Sequence, residues 1–148
     1  MTHEKESIEH ESLTPMEIEF IKRTWGKVGN SVEMAIDFYN RLFYLYPALR
    51  PLFKEDIRLQ SRKFTAHLSY LIKNIQDWNN IQADIEELGK RHASYEVRSQ
   101  HYNFVKESLF YSLKTHLSND WTESTEIAWN KFYKLVADRM MSFHHQQE

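Results

Sequence analysis

Almost nothing in this chain interrupts a helix. Its 148 residues hold three glycines and three prolines, and no stretch alternates β-branched and polar residues as a half-buried strand would. What recurs instead is the three-to-four-residue spacing of an amphipathic helix, so the chain reads as all-α. The first helix begins at a capping box: Thr14 as the cap, Pro15 at the first helical position and Glu17 three residues after the cap. Ile18, Ile21, Trp25 and Val28 then form one apolar stripe, broken at Gly29-Asn30. A second stripe, Phe38, Tyr39, Leu42 and Phe43, runs to Pro47, which ends or redirects it. A turn-like stretch to Phe53 and the polar run Lys54-Glu55-Asp56 lead into a third pattern, Gln60, Phe64, Leu68, Leu71, Ile72 and Ile75, with residues 77–80 as its expected end. Ile81, Ile85, Leu88 and His92 mark a fourth. After residues 94–99 a fifth carries Phe104, Val105, Leu109, Leu113 and Leu117 to Ser118-Asn119-Asp120. The last opens near Thr122, a suitable cap, and turns Trp129, Phe132, Tyr133, Val136 and Met140 inward. One domain over 14–148 is expected, preceded by a flexible, solvated acidic extension over 1–13.

Composition narrows the function. With 41% hydrophobic residues and a formal net charge of -2, the chain suits a packed core and lacks the basic face that nucleic-acid binding requires. Its apolar runs are too short to span a bilayer, and residues 1–13 contain no apolar signal core. The absence of cysteine makes a reducing, cytoplasmic location the default expectation.

Among eight histidines, His92 closes an apolar helical stripe; it stands thirty-two residues after Gln60 and thirty-nine after Phe53, with Pro47 six before Phe53. A lone histidine on an apolar face is more often a core residue than a ligand, so its context matters. Haem iron needs an axial imidazole held in one tautomer, usually by donating its other nitrogen to a backbone carbonyl. Leu88, four residues before His92, places a carbonyl and an apolar side chain on the matching face. Gln60 and Phe64 lie one turn apart and project to one side. A neutral glutamine can donate to the partly negative oxygen of bound dioxygen while ligating iron poorly. Tyr39 offers a phenolic donor, or is simply a core tyrosine.

The segments Tyr-Pro-Ala-Leu-Arg-Pro-Leu-Phe (46–53), Gln-Ser-Arg-Lys-Phe (60–64), Leu-Gly-Lys-Arg-His (88–92), His101-Tyr102 and Ala128-Trp129 together make the chain resemble the globin family across residues 14–145. The pattern is most similar to bacterial single-domain globins and the globin half of flavohaemoglobins, with a neuroglobin-like length. That resemblance implies a three-over-three helical sandwich around a buried haem b, with His92 as the axial ligand and Phe53 wedged against the ring. It gives Tyr39 and Gln60 the distal positions and implies high dioxygen affinity. Leu88 and Val97 line the proximal side in this reading, and Phe64 crowds the distal one. Tyr102 matches a tyrosine that joins the proximal histidine in flavohaemoglobins, but its partner glutamate is replaced by His144, which weakens the case for peroxidase-like chemistry.

Other positions keep two readings. Lys63 and Arg91 either reach haem propionates or are solvated helix residues, and His67 is either a histidine beside a propionate or an alternative distal ligand. The adjacent His144 and His145 point about a hundred degrees apart on a helix and do not make a metal site. The resemblance implies dioxygen, nitric oxide and carbon monoxide as ligands, in a monomer or homodimer. Conversion of nitric oxide to nitrate is a further expectation. It would require an external electron donor or reductase, because the chain has no glycine-rich dinucleotide fingerprint. A gas sensor acting through a protein partner is the alternative, with the acidic extension as its effector; a haem-free globin-fold scaffold is a third reading, against which Phe53 and His92 argue.

Overall fold

The computed structural model describes residues 13–94, 98 and 100–147, and within these every regular element is helical. Val97 and residues 1–12 lie outside the described residues, as does the side chain of His144. The main helices are α1 (Pro15–Val28), α2 (Val32–Leu45), α3 (Ile57–Lys73), α4 (Trp78–Ser94), α5 (His101–Leu117) and α6 (Glu123–Gln147). Short 3-10 turns lie at Pro47–Leu52, Ile75–Asp77 and Ser118–Asp120.

The caps form as the sequence expects. Thr14 Oγ1 accepts from the Glu17 amide at 3.1 Å, and the Glu17 carboxylate accepts from the Thr14 amide at 2.9 Å. Asp56 caps α3 through the Leu59 amide, and Thr122 caps α6 through the Thr125 amide. One boundary differs from expectation. The third pattern was expected to continue past Ile75, but α3 stops at Lys73. The Asn74 side chain donates to the Tyr70 carbonyl at 2.9 Å, satisfying a carbonyl of the last turn. A single 3-10 turn then keeps Ile75 buried while reversing the chain, so α4 already starts at Trp78.

Helices α1 and α4 pack on α6 while α3 packs on α2, giving one layer of α1, α3 and α4 over another of α2, α5 and α6. Two buried polar contacts tie the core between them together. Trp129 is fully buried and donates to Thr24 Oγ1 at 2.9 Å, which in turn donates to the Phe20 carbonyl. Ser112, also fully buried, donates to the Met34 carbonyl at 2.6 Å and so pins α5 to α2. Consecutive α3 and α4 behave differently: their backbones diverge from the single turn that joins them, opening a wedge that the Tyr70 hydroxyl bridges near its apex by donating to Asp84 at 2.7 Å.

The position of α4 depends on Gly89. A Cβ built there would stand 2.6 Å from the Met140 carbonyl oxygen of α6 and 3.0 Å from the Met140 Cα, so backbone faces backbone with no side chain between. The Glu86–Arg139 ion pair fastens the same interface one turn away. Gly89→Val should therefore destabilise the fold by about 1–3 kcal/mol, the range for overpacking a close-packed contact, read as a lower urea midpoint. An unchanged midpoint would show that α4 can separate from α6 at no cost.

Candidate functional site

One wall of the wedge is aromatic. Successive turns of α2 place Tyr39 and Phe43 on one face, and the turn after Pro47 brings Phe53 up against both, at ring-centroid distances of 5.4 Å and 5.2 Å. From α3, Phe64 stacks on Phe38 at 4.6 Å and meets the Tyr39 ring edge-on at 5.9 Å. Within this cage Tyr39 is only 4% exposed. Gln60, one turn before Phe64, donates from Nε2 to the Tyr39 hydroxyl oxygen at 3.3 Å. The phenol oxygen is thus the acceptor, and among the described residues the Tyr39 proton has no acceptor of its own. Burial pushes the Tyr39 hydroxyl up to about 12, against a smaller opposing effect of the Gln60 hydrogen bond, so it stays protonated and able to donate at neutral pH.

The other wall is the end of α4. His92 Nδ1 lies 2.7 Å from the Leu88 carbonyl oxygen. A carbonyl only accepts, so Nδ1 carries the proton and the lone pair of the neutral ring sits on Nε2. The sequence spacing anticipated this bond. Leu88 is half-buried, while His92 and Arg91 are exposed in the last turn of α4.

The other expected site residues have the following surroundings. Lys63 is occupied with Glu55, whose two carboxylate oxygens lie 2.7 Å and 2.8 Å from its ammonium nitrogen. His67 is exposed on α3. Tyr102 is buried at the start of α5, where burial pushes its phenol up to about 12, and its carbonyl accepts from the Tyr133 hydroxyl at 2.6 Å. Burial and the neighbouring Tyr102 raise the Tyr133 phenol further. Among the described residues no group of three or more His, Cys, Asp or Glu side chains is placed to hold a metal. No helix among them is long and apolar enough to cross a membrane.

Two contributors escaped the sequence reading as site residues. Phe43 was assigned to the core stripe, yet it forms the cage beside Phe53, and its spacing of four from Tyr39 was the available signal. His101 accepts at Nδ1 from the Arg98 amide at 2.9 Å and sets its ring edge-on to Tyr46, anchoring the end of the connection that leads away from His92. Burial, and then the Arg98 charge, hold its pKa below the usual histidine value.

The donor set fits a haem. A single imidazole presents Nε2 as its basic atom, the cage opposite supplies an amide and a neutral phenol rather than carboxylates, and half-buried apolar side chains, Phe53, Phe64, Leu68 and Leu88, flank the wedge. The family model described as Globin matches residues 36–140. Neuroglobin-2 of Oncorhynchus mykiss is 29% identical over 145 residues, covering 88% of this chain and 91% of that protein. The neuroglobins of Danio rerio and Tetraodon nigroviridis are each 28% identical with the same coverage. On the family match, over a fold with these walls, the chain belongs to the globin family.

Proposed function

We propose that this protein binds dioxygen, and also nitric oxide and carbon monoxide, through haem b, with His92 as the axial ligand. The haem would supply an iron centre able to bind diatomic gases. The observation that carries the reading is the Nδ1 bond from His92 to the Leu88 carbonyl. It fixes the tautomer, orients the ring along α4 and raises the basicity of Nε2. Phe53 and Leu88 would hold the ring by apolar contact, as would Val97 by its place in the sequence. Arg91 at the rim suits a propionate. Lys63 would reach one only by leaving Glu55, and His67 is the histidine of α3 nearest in sequence to the Gln60–Phe64 turn.

The opposite wall determines which gas is kept. Gln60 donates to Tyr39, so the phenol proton is available to a ligand that gains negative charge on binding. This pair supports the flavohaemoglobin-type reading and slow dioxygen release. Phe64 narrows the space beside it by stacking on Phe38. Tyr102 backs the proximal side without the partner glutamate, which disfavours peroxidase-like chemistry.

Conversion of nitric oxide to nitrate follows from the same two donors, with electrons from a separate reductase. The test is to mix the dioxygen-loaded protein with nitric oxide in a stopped-flow spectrometer and assay nitrate. Rapid formation of a ferric spectrum with stoichiometric nitrate is expected. Slow or absent oxidation would leave gas binding as the function and remove the enzymatic part.

A further inference from the structure

Helices α5 and α6 do not close on each other along their length, and a groove of about 330 Å³ runs between them. Its floor is apolar and aromatic, formed by Tyr133, Ala137 and Met141. Its rim is net basic: Lys106, Lys131 and Lys134 stand there against two carboxylates, Asp138 of α6 and Glu17 of α1, which reaches Lys131. Lys134 pairs with Asp138 at 2.7 Å, whereas Lys106 lies over the Phe110 ring and has no carboxylate partner among the described residues.

The start of the described chain lies at this rim. Glu17, in the first turn of α1, bonds Lys131 at 3.0 Å, so the capping residue Thr14, bonded to Glu17, lies beside the groove. Twelve residues precede Leu13, and among them Glu4, Glu6, Glu9 and Glu11 outnumber the one lysine, with Ile8 as a central apolar residue. A chain of that length reaches up to ~40 Å. The groove runs from Asn130 to Met141 along α6, a rise of only about 17 Å.

We propose that this groove is the docking site of the chain's own acidic residues 1–12, with their glutamates on the lysine rim and Ile8 over the Tyr133–Met141 floor. The occupant follows from three matching properties: where the segment begins, how far it reaches and the sign of its charge. Docking would brace α5 against α6, the helix on which the His92-bearing α4 rests. Since most of the attraction is between partly exposed charges, it is sensitive to salt.

The absence of cysteine makes a clean test available. A nitroxide is attached at Ser7→Cys in the full-length protein, and amide signals are compared with those of the same protein carrying a diamagnetic analogue of the label. At about 0.01 M salt, where the Debye length is ~30 Å, signals of Asn103, Lys106, Asn130 and Lys134 should lose most of their intensity; at about 1 M, where it is ~3 Å, they should recover. The Lys106→Glu/Lys134→Glu variant should show no loss even at low salt, while Lys73 on α3 stays sharp throughout. Three results overturn the proposal: no loss anywhere, loss centred on another surface, or loss that grows with protein concentration, which would place the segment on a second copy.

Discussion

Replacing His92 by alanine is expected to abolish stable haem uptake while leaving the helical fold almost unchanged. The imidazole is exposed on the last turn of α4, so removing it opens no cavity in the core. Far-ultraviolet circular dichroism and the urea midpoint of the haem-free variant should therefore match those of haem-free wild type. The absorption spectrum should not. Wild type, loaded with haem and reduced, should show a five-coordinate, histidine-ligated ferrous spectrum that air converts to a stable dioxygen form, and His92→Ala should show neither. Imidazole in solution should partly restore the ligated spectrum, because the apolar side chains and the cage remain. A variant with an unaltered spectrum would mean that another residue is the ligand, with His67 on α3 the first to replace. A six-coordinate ferrous wild type would likewise implicate an internal distal ligand. Failure of wild type to take up haem would remove the gas-binding reading and favour a scaffold.

The parts of this molecule that local chemistry determines were legible in the sequence. Thr14 with Glu17, Thr122 and Pro47 mark their boundaries because caps and proline act within a few residues. The Leu88–His92 bond was legible for the same reason, since a helix puts every residue above the carbonyl four positions earlier. What the sequence concealed are meetings between distant segments. Gly89 reads as an ordinary weak point in a helix, and only the approach of Met140, fifty-one residues later, shows why a side chain does not fit. Lys63 reads either as a propionate contact or as a solvated helix residue, and its pairing with Glu55, from the turn region before α3, is not visible in the spacing. Phe43 and Phe38 belong to a core stripe by periodicity alone, and only the placing of α3 across α2 turns that stripe into a cage around Tyr39. The early end of α3 at Lys73 was hidden for the opposite reason: a turn that keeps Ile75 buried preserves the apolar rhythm across a break.

Tyr39→Phe should release dioxygen far faster than wild type, and Gln60→Leu less so. The phenol proton is the group that can act directly on a ligand that becomes partly negative, because Gln60 uses its own donor on the Tyr39 oxygen. Donation to a charged acceptor is worth about 1.5–3 kcal/mol, so losing it should speed release roughly 10- to 100-fold. Gln60→Leu removes the bond that orients the hydroxyl while the phenol remains, and a smaller acceleration, about threefold to tenfold, follows from the 0.5–1.5 kcal/mol of a neutral hydrogen bond. The two substitutions should not add, because in the Tyr39→Phe background the Gln60 amide loses its acceptor and is free to donate to the ligand in place of the phenol. Carbon monoxide supplies the control. It gains little charge on binding, so its release should change only slightly in both variants. If carbon monoxide and dioxygen accelerate together, the cage acts through space rather than through hydrogen bonding, and Phe64, stacked on Phe38 against Tyr39, becomes the residue that sets ligand residence.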